Sequence, residues 1–254
     1  MNTWVLLRGL LRDSRHWGDF PALLGQQQGV DQVIALDLPG NGTLHRQSSP
    51  ARVERMVDAY RAQLAEQAID PPFHLLGLSL GAMAAAAWAR HHPQEVAGAV
   101  LINTSLRPFA PFWRRLRPHN YPALLRMALP GADARRCEQT ILRLTSSDPA
   151  RHAPVLDAWT AYRKDCPVSA RNAARQLLAA MRYRAPRDKP PVPLLLLASR
   201  GDRLVDPACS LRIARRWCVP LALHPSAGHD LPLDDPAWVA AQAAAYFRRN
   251  STGW

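Results

Sequence analysis

Residues 74–83 read HLLGLSLGAM, an apolar strand-like run that meets a glycine, a serine and a second glycine and then passes into alanine-rich helix. Neither a strand nor a helix gains from glycine there, so Gly77 and Gly81 point to a backbone turn too sharp for any side chain. Ser79 sits at that turn. A strand that ends at a serine and leads directly into a helix presents the hydroxyl at the carboxyl edge of a sheet. The serine is either a nucleophile or a turn residue, and the rest of the chain has to supply its partners before the first reading can stand.

Outward from this turn, short runs of Val, Leu, Ile and Ala recur in TWVLLRGL, DQVIALDL, FHLLGLS, VAGAVLINT, PVPLLLLAS and VPLALHPS. Runs of this kind suit strands covered on both faces. Helical spacing over 51–68, 79–92, 207–217 and 236–248 alternates with them. The alternation predicts an α/β fold with a mostly parallel sheet of about six strands and helices on both faces. It stops after Thr104. From there to about Asp188 the sequence shows only four helix-like stretches, near 120–129, 133–145, 152–165 and 168–183, bracketed by the proline-rich RPFAPFWRRLRP and RAPRDKPPVP. The chain therefore divides into a core, 1–104 and 189–254, and an inserted helical cap, 105–188.

Charge divides the same way. Residues 105–188 hold 15 Arg, 1 Lys and 6 Asp plus Glu, a net of +10, while the other 170 residues hold 16 basic and 14 acidic groups, a net of +2. At 48% hydrophobic and 20% charged residues the chain is an ordinary globular one, neither disordered nor fibrous. No apolar run approaches a membrane span. The opening MNTWVLLRGLLRDSRHW has arginines within its apolar part and no small-residue cleavage site, so it reads as a first strand rather than a signal peptide, and a cytoplasmic location is expected. Cys137, Cys166, Cys209 and Cys218 show no metal or redox spacing and read as reduced, packed thiols. No phosphate loop or metal-ligand cluster stands out, so no cofactor is expected. Basic and aromatic residues interleave only in FWRRLRPHNY, too short a stretch to suggest nucleic-acid binding.

A serine nucleophile needs a base, and the base needs an orienting group. Among nine histidines only His229 follows a late strand in a glycine-bearing loop, LALHPSAGHD. For the acid, LLLLASRGDRLVDP offers Asp202, directly after Gly201 at the strand exit, and Asp206, before a proline where it can cap a helix. Asp202 is the preferred one. The order Ser79, Asp202, His229, each after a different strand, is that of α/β-hydrolases.

With DLPGNG at 37–42, the segment LLRGLLRDSRHW and the position of the insertion after LINTS, the chain resembles an α/β-hydrolase over nearly its whole length. Its compact start and helical cap look like small bacterial carboxylesterases, including the pimeloyl-carrier-protein methyl ester esterases. The resemblance implies an α/β-hydrolase fold, and a serine hydrolase that cleaves carboxylic esters or thioesters of small molecules through an acyl-enzyme. It also implies an oxyanion hole from the N–H groups of Leu80 and Leu10. A C–C bond hydrolase or lyase on a carboxylated substrate, or a non-catalytic binding module, are the rival readings. Arg8 stands where the superfamily usually has histidine; it either faces the pocket and pairs with a substrate carboxylate or is held by a neighbouring carboxylate such as Asp37, the second being preferred. Phe109, Phe112, Trp113, Tyr121 and Trp159 either line an acyl pocket or form the cap's own core. The basic cap is suited to an acidic carrier protein or an anionic lipid interface.

Overall fold

The computed structural model describes residues 2–127 and 131–251. All six expected strands form: β1 (Thr3–Leu7), β2 (Gln32–Leu36), β3 (Phe73–Leu78), β4 (Val96–Ile102), β5 (Leu194–Ser199) and β6 (Leu221–His224). They build one sheet in the order β2-β1-β3-β4-β5-β6, every pairing parallel. The helices are α1 (Phe20–Gly25), α2 (Val53–Glu66), α3 (Leu80–His91), α4 (Phe112–Arg115), α5 (Tyr121–Met127), α6 (Ala134–Thr145), α7 (Pro149–Asp165), α8 (Ala170–Arg182), α9 (Ala208–Trp217), α10 (Leu231–Asp234) and α11 (Pro236–Ser251).

Because successive strand residues point to opposite faces, each strand feeds two cores. Val5, Leu7, Leu75, Leu101 and Leu196 pack with residues of α2, α3 and α9 on one face. Trp4, Leu6, Leu76, Val100 and Leu197 pack with α1 and α11 on the other. A fully buried leucine stabilises the fold by about 1.5–3 kcal/mol, so this double covering is what makes unbroken apolar runs the right sequence for these strands.

The chain moves from β2 past β1 to β3, so the direction of winding reverses between β1 and β3. Loops leaving the carboxyl ends of strands diverge at such a point and leave a crevice. The Ser79 turn follows β3 and Gly9 follows β1, which puts both at that crevice.

Helices α4 to α8 lie between β4 and β5. The stretches read as helical near 133–145, 152–165 and 168–183 are α6, α7 and α8, and the one near 120–129 is α5 up to Met127, its last two positions lying outside the described residues. The short α4 falls in what the sequence suggests is only a hinge, and α1 and α10 are also additions to the sequence reading. Among the described residues no helix is long and apolar enough to cross a membrane.

Candidate active site

Ser79 has φ 56° and ψ −109°, whereas neither Gly77 nor Gly81 has a positive φ. The strained residue is therefore the serine, and the glycines have a different cause from the one the sequence suggests. A Cβ at Gly81 would lie 2.0 Å from Leu7 O, and one at Gly77 2.5 Å from Gly81 C. Only bare backbone lets α3 sit this close to β1 and β3. A non-glycine residue held at such a φ costs about 1–3 kcal/mol and persists only where its surroundings impose it. Here Ser79 N donates to Ile102 O at 2.9 Å and Ser79 O accepts from Thr104 Oγ1 at 3.1 Å. A serine at a helix N-cap ordinarily uses its hydroxyl to cap; Ser79 makes no side-chain cap bond to α3. The hydroxyl therefore contributes no capping bond to the turn, which the backbone N and O of Ser79 hold instead.

The loops after β5 and β6 meet beside it. Asp202 Oδ1 accepts from Leu204 N and Val205 N, both at 2.8 Å, which leaves Oδ2 to accept from His229 Nδ1 at 2.7 Å. Both side chains are buried. Burial favours the neutral imidazole, but the Asp202 carboxylate, by charge and by hydrogen bond, outweighs it and holds the His229 pKa above the usual histidine value. Asp230 adds to this and Arg8 opposes it. With Nδ1 committed to Asp202, Nε2 is the nitrogen left for Ser79. The two side chains line one cavity without being hydrogen-bonded to each other. Asp206 plays no part here: its Oδ1 accepts from Ala208 N, the first residue of α9, at 2.9 Å and its Oδ2 pairs with Arg114 at 2.9 Å.

Asn103, absent from the sequence-derived candidates, joins these loops. Its Oδ1 accepts from Ser199 N at 2.9 Å, and its Nδ2 reaches Ser199 Oγ, Gly228 O and His229 O at 3.0, 3.2 and 2.8 Å. It is buried with φ 43°. A polar residue ending the apolar run VAGAVLI was the signal for it.

Arg8 is held by a carboxylate, but by Asp230 and not Asp37. Its Nη1 and Nη2 donate to Asp230 Oδ1 and Oδ2 at 3.1 and 2.6 Å, and its guanidinium lies 4.7 Å from the Trp17 ring centre. Asp37 is taken up by Ser14 N and by Thr43 N and Oγ1, at 2.7, 2.9 and 3.0 Å. Burial would raise the Asp230 pKa, but the Arg8 charge and hydrogen bond hold it below the usual carboxylate range. Asp230 follows His229, so the ion pair pins the loop after β1 to the loop that carries the imidazole.

That β1 loop passes close to the serine, since a Cβ at Gly9 would lie 3.4 Å from Ser79 Cβ. Leu11 N donates to Gln176 Oε1 and Arg12 N to Gly9 O, whereas no acceptor takes Leu10 N among the described residues. Leu80 N belongs to the first turn of α3, which has no intrahelical acceptor. Two N–H groups are thus available on either side of the serine.

The cavity, about 130 Å³, is lined by Ser79, His229, Arg8 and Arg12 and by Leu10, Leu11, Leu78, Leu124, Met127, Ile141, Leu144 and Leu204. Its wall is aliphatic, and none of the five aromatic candidates lines it. Phe109 packs edge-on against Trp217, Trp113 is half-exposed against Phe112, and Tyr121 donates to Leu116 O at 3.2 Å. Trp159 is buried beneath the Arg12 guanidinium, 4.3 Å from its ring centre. Arg12 also pairs with the buried Glu138 at 2.7 Å, and Glu138 with Arg163 at 2.6 Å, fastening the β1 loop to α6 and α7. Among the described residues no group of three or more His, Cys, Asp or Glu is placed to hold a metal ion.

Three solved structures share this architecture. An esterase from Thermogutta terrifontis is 20% identical, with a TM-score of 0.77 over 98% of this chain and 90% of its own. The enol-lactonase from Burkholderia xenovorans LB400 is 17% identical, with a TM-score of 0.79 over 97% and 91%. A lipase-esterase related protein from Clostridium acetobutylicum is 15% identical, with a TM-score of 0.71 over 96% and 94%. At these identities the likeness is one of fold. No curated protein matches the chain. The sequence model of the Alpha/beta hydrolase family matches residues 4–242, nearly the whole length of the sheet and its insertion, and the chain belongs to that family.

Proposed function

We propose that this hydrolase cleaves carboxylic esters of small molecules through an acyl-enzyme formed on Ser79. His229 Nε2 takes the Ser79 hydroxyl proton as Oγ bonds to the ester carbonyl carbon. The oxyanion accepts hydrogen bonds from Leu80 N–H and Leu10 N–H, each worth about 2.7–4 kcal/mol in the transition state. Collapse breaks the bond to the alcohol, which leaves with the proton from His229. Water, deprotonated by the same imidazole, then releases the acid and restores the serine. Asp202 holds the ring in the tautomer that leaves Nε2 free and stabilises the imidazolium. The helices between β4 and β5 act as a cap that closes the acyl side of the cavity with Leu124, Ile141 and Leu144.

The observation that carries this reading is the uncommitted hydroxyl of a strained Ser79, in one cavity with an imidazole whose other nitrogen is fixed on a buried carboxylate. The cavity's size suits a short acyl group. Both Nη atoms of Arg8 are committed to Asp230 and so are not free for a substrate carboxylate. The test is turnover of p-nitrophenyl acetate and butyrate by wild type and Ser79→Ala. Burst release followed by steady turnover in wild type, and neither in the variant, is expected. Equal turnover in the two would remove Ser79 as the nucleophile, and no turnover in either would favour a non-catalytic binding module.

A further inference from the structure

Among the described residues, the five exposed large apolar side chains all lie between β4 and β5: Phe112, Trp113, Leu125, Leu177 and Met181, at 68, 52, 69, 41 and 58% exposure. Helix α8 turns small and polar side chains inward, the fully buried Ala179 among them. It buries Asn172 and Gln176, which bond to Ser49, Gln47, Asn41 and Leu11, and it points Leu177 and Met181 at solvent. The ordinary arrangement places the apolar stripe of a helix inward. Helix α4 sits beside the end of α8, because Arg115 Nη2 donates to Ala180 O at 2.7 Å, and the chain before α4 reaches the same end through Arg107 Nη1 and Met181 O at 3.4 Å. Phe112 and Trp113 on α4 contact each other edge to face at 5.2 Å. Phe112 and Trp113 thus lie beside the end of α8 that carries Met181, and Arg107, Arg182 and Arg184 in the flanking stretches of chain are exposed. Asp206, the carboxylate that meets α4, is already paired with Arg114.

We propose that α4 and the outer face of α8 dock the protein on an anionic lipid surface. Phe and Trp beside arginines are the side chains that seat a peripheral element at the headgroup boundary, the rings entering the acyl edge and the guanidinia meeting lipid phosphates. Exposures above one half at Phe112, Trp113 and Met181 describe side chains that project rather than line a groove. A second copy of the chain is disfavoured as the occupant, since it would bring the same positive insertion against itself. The surface adjoins the cavity through the chain: Arg117, four residues after Trp113, donates from N to Leu204 O at 3.0 Å, and Leu204 lines the cavity. Docking here holds the cavity wall close to the membrane without contributing a group to the chemistry, so it stands whether or not Ser79 is the nucleophile.

The experiment is co-sedimentation with phosphatidylcholine vesicles and with vesicles holding about one-third phosphatidylglycerol, using wild type, Phe112→Ser/Trp113→Ser, Leu177→Ser/Met181→Ser and Arg182→Gln/Arg184→Gln. All these positions are exposed, and circular dichroism checks that each variant is folded. Binding is expected to the anionic vesicles only and to weaken in 0.5 M salt. An arginine near such a surface contributes about fivefold, so the arginine pair should weaken binding about 25-fold. Either apolar pair should abolish sedimentation with anionic vesicles, and Leu177→Ser/Met181→Ser, which keeps Trp113, should also abolish quenching of tryptophan fluorescence by brominated lipid. Absence of binding to anionic vesicles, or binding indifferent to all three pairs, overturns the proposal. Binding of a soluble acidic polypeptide but not of vesicles through these residues also overturns it and assigns the face to a protein partner.

Discussion

Replacing Asp202 with asparagine isolates the orienting role of one carboxylate oxygen. The substituted side chain can keep its amide oxygen on Leu204 N and Val205 N, so the loop after β5 retains both of its 2.8 Å bonds. The other position then carries an amide that donates to His229 Nδ1, where a carboxylate accepted at 2.7 Å. The ring must place its proton on Nε2, the nitrogen that has to receive the serine proton, and the imidazolium loses its buried counter-charge. An exchange of this kind costs about 10⁴-fold in turnover, or about 5.4 kcal/mol. Asp206→Asn removes only a partly exposed pair with Arg114, worth about 0–1 kcal/mol of stability, and should leave turnover within about twofold. The pH profile gives a second reading. Turnover requires neutral His229, whose pKa lies above the usual value in wild type, so the acid limb should lie above about 6.5 and move down in Asp202→Asn. The stability linked to the same group is fully present below the unfolded pKa and is lost as pH rises through the folded one. The assay is kcat/KM for p-nitrophenyl butyrate from pH 5 to 9, beside thermal melts of each variant. Equal losses in the two variants, or a larger one for Asp206→Asn, would refute the reasoning.

Arg8→Met should destabilise the fold by about 3–5 kcal/mol by leaving Asp230 charged, buried and unpaired, and adding Asp230→Leu should restore much of that, both read by denaturant unfolding. Gly81→Ala should cost about 3 kcal/mol or more because its Cβ meets Leu7 O, whereas Gly25→Ala, whose nearest contact is Val33 Cγ2 at 3.8 Å, should shift the melting temperature little. Along a series of p-nitrophenyl esters, kcat/KM should be highest at acetate to butyrate and about tenfold or more lower at decanoate, because the aliphatic cavity of about 130 Å³ must deform for a long chain.

The sheet could be read from the sequence because a parallel strand buried on both faces leaves an unbroken apolar run, and all six such runs became strands. The loops after β5 and β6 were legible for the same reason: once the strands are placed, the residues that leave them are placed too, and Asp202 and His229 come out hydrogen-bonded. What local pattern does not carry is the choice of a distant partner. Arg8 meets Asp230 across 222 positions, and Asn103 ties loops about 100 and 125 positions away, by tertiary approach alone. Which way a helical side chain faces is equally silent. Trp113 and Trp159 are both tryptophans of the insertion, yet one faces solvent and the other lies under Arg12. The serine turn shows a subtler limit: the glycines mark the right place, but for reasons of close approach, while the strained φ falls on the serine between them.

The central claim, that Ser79 is the nucleophile, is tested most directly by trapping it. The protein is incubated with a fluorophosphonate, its intact mass measured, and the modified peptide sequenced by mass spectrometry. The account predicts one adduct per chain on Ser79, with the mass of the probe less fluoride, and no adduct and no ester turnover in Ser79→Ala. An adduct on any other serine, or full turnover by Ser79→Ala, would contradict it.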